Sequence, residues 1–178
     1  MRLPNDIDIH THVGPVRADA VLCVDPTERF TLPEGEGLLS VGIHPWNVSN
    51  VDEAVWKRFT AWTDDSRVIA IGEAGVDRLR GPAMELQTGV FEQQAQKAAN
   101  LGLPLIVHCV RAYDVLLGIR RRIPEGQWIV HGFRGKPELA RQLLDAGIDL
   151  SYGNHFNVDS FNLTPPDRRY LETDDTIR

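Results

Sequence analysis

Eight short apolar runs, each about the length of a β-strand, punctuate this chain from end to end. They occupy residues 6–12, 19–24, 38–45, 68–75, 104–110, 127–133, 148–153 and 170–174. Most of them are continuous stretches rich in Val, Ile and Leu and do not alternate with polar residues. Continuous apolar strands are typical of a parallel sheet that is covered on both faces. The runs therefore predict a parallel β-sheet.

Helical stretches separate several of these runs. Residues 52–63, 83–102 and 137–146 carry apolar side chains at intervals of three and four, which places those side chains on one helix face. In the second stretch this face consists of Leu86, Val90, Phe91, Ala95, Ala98 and Leu101. In the third, Pro137 suits the first helical turn and Gly147 suits a left-handed stop. Strands and helices therefore alternate along the chain.

This alternation predicts an α/β fold with right-handed crossovers, either a closed barrel or an open doubly wound sheet. At 178 residues the chain is short for an eightfold barrel, which usually needs ~200 to 400 residues. A barrel would therefore have to be compact. Residues 25–37 contain Pro and Gly that prevent a long helix, so we expect an irregular connection there. We expect residues 1–178 to form a single domain.

The composition of the chain argues against several kinds of binding partner. A net charge of −6 argues against a broad nucleic-acid-binding surface, because such surfaces need many Lys and Arg contacts to phosphate. The sequence begins without a signal-like apolar run and contains no stretch of about 18 apolar residues, so we expect a cytoplasmic protein without membrane contact. Cys23 and Cys109 are too few for a disulfide framework, and we interpret both as buried small apolar residues. No obligate protein partner is indicated.

Side chains that bind metals follow the apolar runs. His10 and His12 lie two residues apart on the first run, so their side chains project from the same side of a strand. Further candidates stand at the carboxyl ends of later runs: Glu73, His108, His131 and Asp174. Because all carboxyl ends of a parallel barrel lie on one face, we expect these six residues to converge.

A metal site explains this convergence. Imidazoles and carboxylates that are withdrawn from water must be paired, neutralised or bound to metal. We expect two divalent ions, with Glu73 as a candidate bridge, since bridged ions lie ~3.5 to 4 Å apart. Nitrogen and oxygen ligands suit zinc, manganese or iron, and magnesium less well, so the metal is left open. Singly, each histidine could be a hydrogen-bonded structural residue, and Glu73 or Asp174 could cap a helix; the joint pattern favours the metal site.

Ordered motifs give the chain a resemblance to a known family. They are Asp8-x-His10-x-His12, Gly42-x-His44-Pro45, Ile71-Gly72-Glu73-x-Gly75-x-Asp77, His108-x-x-Arg111, His131-x-Phe133-x-Gly135 and Glu172-Thr173-Asp174. In this order they resemble the motifs of the TatD-type metal-dependent deoxyribonucleases, a branch of the amidohydrolase superfamily of barrel hydrolases. The resemblance runs nearly the full length of the chain. It favours the closed barrel over the open sheet.

The resemblance implies a function and a division of roles. His10, His12 and Asp174 would hold one metal, His108 and His131 the other, and Glu73 both. The implied reaction is phosphodiester hydrolysis by a metal-activated water, with Asp174 as its proton acceptor, on a small phosphorylated substrate or a nucleic-acid end. We expect His44 and Arg111 to grip a substrate phosphate, and Asp77 to orient a neighbouring ligand.

Alternatives stay open from the residues. Hydrolysis of an amide or lactone would use the same fold, and a structural metal clip would need no catalysis, although such a clip is closed by four ligands. Arg134 stands where the family usually has a small polar residue, and the roles of Arg134, Asn154 and His155 are left open. The family continues through a closing C-terminal helix, whereas four residues follow Asp174 here, so we expect a barrel without that helix.

Overall fold

The computed structural model describes residues 2–174 as a closed barrel of eight parallel strands, each paired with its neighbours in sequence. The strands are β1 (Asp8–Thr11), β2 (Ala20–Val24), β3 (Leu38–Val41), β4 (Val68–Asp77), β5 (Leu105–Val110), β6 (Trp128–Val130), β7 (Ile148–Tyr152) and β8 (Arg169–Leu171). The helices are α1 (Glu53–Trp62), α2 (Met84–Leu101), α3 (Tyr113–Arg122), α4 (Pro137–Asp145) and α5 (Val158–Leu163), with 3₁₀ segments at Pro45–Asn50 and Pro166–Arg168. The barrel and all eight strands are confirmed.

The helix predictions hold in part. α1, α2 and α4 coincide with the three expected helices, and Gly147 adopts the left-handed conformation (φ 74°) after α4. The connection at residues 25–37 contains no helix, as expected. The sequence analysis did not predict α3 and α5. α3 ends in three consecutive arginines, and Arg120 is buried with its guanidinium 5.1 Å from the Trp128 ring centroid, so its apolar stripe is interrupted by charge.

Apolar residues pack in two layers. A smaller cluster takes residues from six of the strands: Ile9, Val21, Ala70, Ile106, Ile129 and Tyr170, together with Leu3. A larger cluster joins the other strand faces to the helices, and its helical members with almost no exposed surface include Phe59, Phe91 and Leu116. Because one layer buries each face of the strands, the strands appear in the sequence as continuous apolar runs.

Two buried glutamines of α2 hold the ends of β3 and β4. Gln94 accepts a hydrogen bond from the backbone nitrogen of Ile43 (2.7 Å) and donates to its carbonyl (3.1 Å). Gln87 does the same for Asp77, at 2.7 and 3.1 Å. By contrast, Leu86 and Leu101, expected on the buried face, are 45% and 40% exposed. The face of α2 that meets the barrel therefore includes amides that fix backbone beside the candidate site.

The barrel closes where β8 meets β1. Leu171 pairs with Asp8, and the Asp8 carboxylate accepts hydrogen bonds from the hydroxyl (2.6 Å) and backbone nitrogen (3.1 Å) of Thr173. The expectation of a missing closing helix concerns the chain after Asp174 and lies outside the described residues. Within residues 2–174, no helix combines the length and the apolar character needed to cross a membrane.

Candidate metal centre

Glu73 is the centre of the candidate site. Its side chain is 3% exposed, and five histidines surround its carboxylate. Oε1 lies 2.6 Å from His108 Nδ1, 2.7 Å from His131 Nε2 and 3.2 Å from His44 Nε2. Oε2 lies 3.1 Å from His12 Nε2 and 3.2 Å from His10 Nε2. Four of the six predicted ligands therefore contact this one carboxylate directly, and His44 joins them.

A strand irregularity positions Glu73. The sequence analysis placed Glu73 at the end of its strand, but β4 continues to Asp77, so that placement was wrong. The pairing of β4 with β5 shifts register between Ile71 and Ala74. Gly72 has φ 133°, and a Cβ there would lie 2.5 Å from the carbonyl oxygen of Ile106, so only glycine fits. Such a bulge can re-aim a side chain within a strand.

His10, His12 and Asp174 occupy one side of the centre. The Nε2 atoms of His10 and His12 lie 3.1 Å apart, as expected for residues that share a strand face. Asp174 Oδ1 lies 3.7 Å from His10 Nε2 and 4.0 Å from His12 Nε2, and its side chain is 32% exposed. Its backbone nitrogen donates to the His10 carbonyl (3.0 Å). Asp174 is therefore the most accessible carboxylate beside these histidines.

His108 and His44 lie on the other side, with their rings 4.6 Å apart. Asp77 Oδ2 is 3.2 Å from His108 Nε2 and also accepts a hydrogen bond from Trp46 Nε1 at 2.7 Å. Asp77 thus contacts a ring nitrogen of His108, and its role in orienting a ligand stays a prediction. Asp25 Oδ2 accepts hydrogen bonds from the backbone nitrogen of His44 (2.9 Å) and from Asn47 Nδ2 (3.0 Å), which fixes the turn that carries His44.

Glu172 is a residue of the site that the sequence analysis quoted in a motif without giving it a role. Its buried carboxylate lies 3.3 Å from His131 Nδ1, on the opposite side of the ring from Glu73. Carboxylates that contact the outer nitrogen of a ligating histidine fix its tautomer and orientation. Its place two residues before Asp174 gave no direct signal, because β8 ends at Leu171 and strand alternation does not apply to the residues after it.

Burial and charge shift the pKa values of the central groups in opposite directions. Burial would raise the pKa of Glu73, but the neighbouring His131 and His10 outweigh it and hold that pKa well below its ordinary value. Burial would lower the pKa of His131, but Glu73 and Glu172 raise it well above the usual range. The pKa of His10 is lowered, chiefly by its complete burial and by the charge of His131.

Three overlapping groups of side chains could hold a metal ion. Within each, the ligand atoms lie within 4.8 Å of one another: His10 with His12 and Glu73, His10 with His131 and Asp174, and His44 with Glu73 and His108. All six residues predicted as ligands appear among them. His44, predicted to bind substrate, also appears. The chain thus brings histidine and carboxylate clusters that can bind metal to one end of the barrel.

A cavity of about 480 Å³ opens over these clusters, and its wall includes His12, His44, Glu73, His108, His131 and Asp174. Cys23 also borders the cavity and is half-buried, so the expectation that both cysteines are buried was wrong for this one. Its Sγ accepts a hydrogen bond from the Glu73 backbone nitrogen (3.1 Å), and burial raises the pKa of the thiol. Arg29, from the irregular connection after β2, lies at the mouth.

Some candidate residues lie outside this cavity. Arg111, predicted to grip phosphate, is exposed, adopts φ 51° and does not line the cavity wall. Its carbonyl accepts a hydrogen bond from Arg78 Nη1 (2.7 Å). Arg134, Asn154 and His155 are exposed and do not border the cavity either. The prediction for Arg111 stays a prediction, and the structure offers Arg29 as a second cationic candidate.

The sequence matches a family model, described as TatD related DNase, over residues 30–175. The chain belongs to this TatD family. Its relatives include proteins named 3'-5' ssDNA/RNA exonuclease TatD. The one from Cronobacter sakazakii is 29% identical over 150 residues, covering 76% of this chain and 56% of the relative. The one from Klebsiella pneumoniae is 30% identical over 114 residues, covering 61% and 43%.

Solved TatD structures share the barrel. A TatD homologue from Escherichia coli K12, named YJJV, superposes with a TM-score of 0.77 over 95% of this chain and 78% of its own, at 22% identity. A TatD family hydrolase from Entamoeba histolytica gives a TM-score of 0.72 over 87% and 60%, at 20% identity. The chain spans about half the length of the exonuclease relatives that it matches. At these TM-scores and identities, the likeness to the solved structures establishes the fold that this chain shares with them.

Proposed function

We propose that this TatD-family chain is a metal-dependent hydrolase that cleaves phosphodiester bonds, as a deoxyribonuclease does. The observation that carries the proposal is the position of Glu73, a buried carboxylate within 3.2 Å of nitrogens from five histidines at the carboxyl end of the barrel. This is the end where barrel enzymes assemble their active sites. The exonuclease names of its relatives support the same reaction.

The donor set fits divalent metal ions. His10 is fully buried beside His131, and two protonated imidazoles at a ring separation of 4.4 Å would repel each other. As neutral imidazoles they can instead offer nitrogen lone pairs to a cation. We propose two ions: one held by His10, His12, Glu73 and Asp174, the other by Glu73, His108 and His131, with His44 beside it. Nitrogen and oxygen donors suit zinc, manganese or iron better than magnesium.

The protein side chains would divide the chemical work. Bound ions would supply Lewis acidity, activating water and stabilising the negative charge that develops at phosphorus. Glu73 would keep the two sides of the site aligned, because one of its oxygens contacts His10 and His12 and the other contacts His108 and His131. Asp174, at the open rim and 32% exposed, would accept the proton of the attacking water. Glu172 and Asp77 would keep the rings of His131 and His108 in their ligating orientations.

The cavity favours a nucleic-acid end or another small phosphodiester. Its volume of about 480 Å³ suits a nucleotide-sized group, and its wall mixes histidines and carboxylates with one arginine, Arg29. We propose that Arg29 and Arg111 approach substrate phosphates from the rim, where a guanidinium can bind two oxygens at once. With a net charge of −6, the chain depends on such local contacts rather than on a broad basic surface. The expected cytoplasmic location and the lack of an obligate protein partner stay predictions.

The test is metal-dependent turnover. Protein stripped with a chelator is assayed on single-stranded DNA and on bis-nitrophenyl phosphate after addition of manganese, magnesium or zinc. We expect turnover on at least one substrate that returns with metal and is lost in Glu73→Gln. Glu138→Gln, an exposed residue of α4, is the matched control and should keep full activity. Metal-dependent turnover of amides or lactones, with both phosphodiesters inert, would favour the alternative reaction.

A further inference from the structure

Trp46 is a large exposed aromatic side chain on the rim of the candidate metal centre. It follows Pro45 in the turn after His44, borders the cavity and is 42% exposed. Aromatic side chains that line a pocket commonly provide contact surface for its ligand. Its indole meets the rings of His44 and His108 edge-on, at centroid distances of 4.7 and 5.9 Å. The indole therefore lies directly beside the proposed metal ligands.

The indole is held in a fixed orientation. Its Nε1 donates a 2.7 Å hydrogen bond to Asp77 Oδ2, and Asp77 also accepts hydrogen bonds from the backbone nitrogens of Leu79 (2.8 Å) and Arg80 (3.1 Å). The Asp77 backbone is bound in turn by the buried Gln87 of α2. A ring fixed in this way loses little side-chain entropy when a ligand packs on it. Asp77 and Gln87 thus fix the orientation of the Trp46 ring, although neither residue lines the cavity.

The positively charged side chains near the Trp46 ring suit the negatively charged phosphates of a nucleotide. The Arg80 guanidinium lies 4.8 Å from the Trp46 ring centroid, is exposed and forms no ion pair within residues 2–174. Arg29 borders the same cavity and likewise has no ion pair in the described part of the chain. An exposed aromatic ring with one guanidinium group over it, and a second on the wall of the same cavity, offers a stacking surface together with phosphate contacts.

We propose that Trp46 is the platform on which an unpaired nucleobase of the substrate stacks while its phosphodiester lies over Glu73. This inference rests on the proposed function and goes beyond it in assigning one side chain of this protein, Trp46, to the base next to the cleaved bond. Stacking on an aromatic ring tolerates any base, since every base has a π-face. The platform therefore predicts a need for a base without a preference for its sequence.

The experiment compares substrates with and without bases. Two single-stranded oligonucleotides of equal length are used, one of thymidine nucleotides and one of abasic tetrahydrofuran nucleotides. Base stacking on an aromatic ring is worth about 1 to 3 kcal/mol, so the wild type should prefer the thymidine substrate by about 5- to 150-fold in kcat/KM. Trp46→Leu should abolish most of this preference. Trp56→Leu, the same change on α1, should leave it intact.

A second variant separates stacking from the hydrogen bond to Asp77. Trp46→Phe keeps an aromatic ring but loses the indole N–H, whereas Trp46→Leu loses both. If the ring stacks on a base, the Phe variant keeps the preference for bases and the Leu variant does not. If Trp46 acts only by orienting Asp77 and His108, both variants lose activity equally on both substrates, and the proposal is overturned. A wild type that cleaves bis-nitrophenyl phosphate but neither oligonucleotide would also overturn this proposal, whereas one that cleaves none of the three with any metal would overturn the proposed function.

Discussion

Glu73 Oε1 lies 2.6 Å from Nδ1 of His108, across the pairing of β4 with β5. The two residues are 35 positions apart in sequence, and the contact exists because the strands are parallel neighbours with a register shift just before Glu73. The same oxygen is 2.7 Å from His131 Nε2, in the connection after β6. One carboxylate oxygen of β4 thus contacts histidines from each of the next two strand units.

Glu73→Gln should lower metal content and activity together. The amide keeps the shape of the side chain but loses the negative charge that the two metal positions would share. Metal catalysis is worth several kcal/mol, so we expect kcat/KM to fall by about a hundredfold or more. Metal per chain, measured by elemental analysis after gel filtration, should fall relative to wild type and to Glu138→Gln. Full metal content in Glu73→Gln would contradict its role as the shared ligand.

Glu172→Gln should weaken metal binding without unfolding the protein. Its carboxylate lies 3.3 Å from His131 Nδ1, where the amide oxygen could still accept the ring N–H but carries no charge to support it. Loss of such an outer contact typically costs about 10- to 100-fold in metal affinity. Competition with a chelator of known affinity measures this change, and the thermal midpoint of the metal-free variant serves as the folding control. Equal affinities in two folded proteins would rule out this orienting role.

Arg29→Ala should lower kcat/KM on oligonucleotides by about tenfold, because a hydrogen bond to a charged group contributes about 1.5 to 3 kcal/mol and part of this is lost at an exposed rim. The slope of log kcat/KM against log salt should flatten by about one phosphate contact. Arg111→Ala tests the arginine expected from the sequence, and Arg121→Ala, exposed on α3, is the control. If only Arg111→Ala lowers kcat/KM, then Arg111 and not Arg29 is the arginine that binds the substrate phosphate.

Asp65→Asn should reduce stability in a pH-dependent way. Side-chain and backbone hydrogen bonds from Arg67 lower the pKa of Asp65 from 3.8 to about 2, and Arg67 Nη1 also donates to the carbonyls of Pro33 and Gly35 (2.8 Å each). Because the folded pKa is the lower one, the stabilisation is complete above pH 3.8 and disappears as the pH falls towards 2. For so accessible a pair, we expect at most ~1 kcal/mol.

Urea unfolding of wild type and Asp65→Asn at pH 6 and at pH 3 measures this dependence. The difference in unfolding free energy should be larger at pH 6. Lys57→Met, which removes an exposed ion pair with Glu53 on α1, should show a difference near zero at both values. An Asp65→Asn difference that grows as the pH falls would have the wrong sign for a carboxyl group with a lowered pKa.

The sequence predicted the architecture from local patterns. Continuous Val- and Ile-rich runs indicate buried parallel strands whatever their partners are, and Pro137 and Gly147 mark the limits of α4 without any tertiary contact. The two unpredicted helices, α3 and α5, do carry local signals, since Pro124 follows α3 and the Asn157 side chain caps α5. α3 buries Arg120 against Trp128, and α5 has only six residues, so both depend on packing that periodicity does not report.

The buried face of α2 also depends on tertiary contacts that the sequence pattern does not show. Periodicity alone assigned Leu86 and Leu101 to the core, yet both are exposed. Gln87 and Gln94 are buried instead, since each satisfies a backbone amide and carbonyl at the end of a neighbouring strand. A polar side chain becomes a good core residue only where such partners exist, and partners on another element are invisible in the sequence.

The sequence by itself supplied the six residues expected as ligands, because residue type and proximity to the apolar runs can be read from the chain, but it placed Glu73 at a strand end and gave Glu172 no role. Only the tertiary structure decided how they meet. The bulge at Gly72 turns Glu73 towards five histidines, Glu172 lies behind His131, and Arg29 rather than Arg111 borders the cavity. These contacts depend on strand register and loop path, which are set by the packing of the whole barrel and not by neighbouring residues.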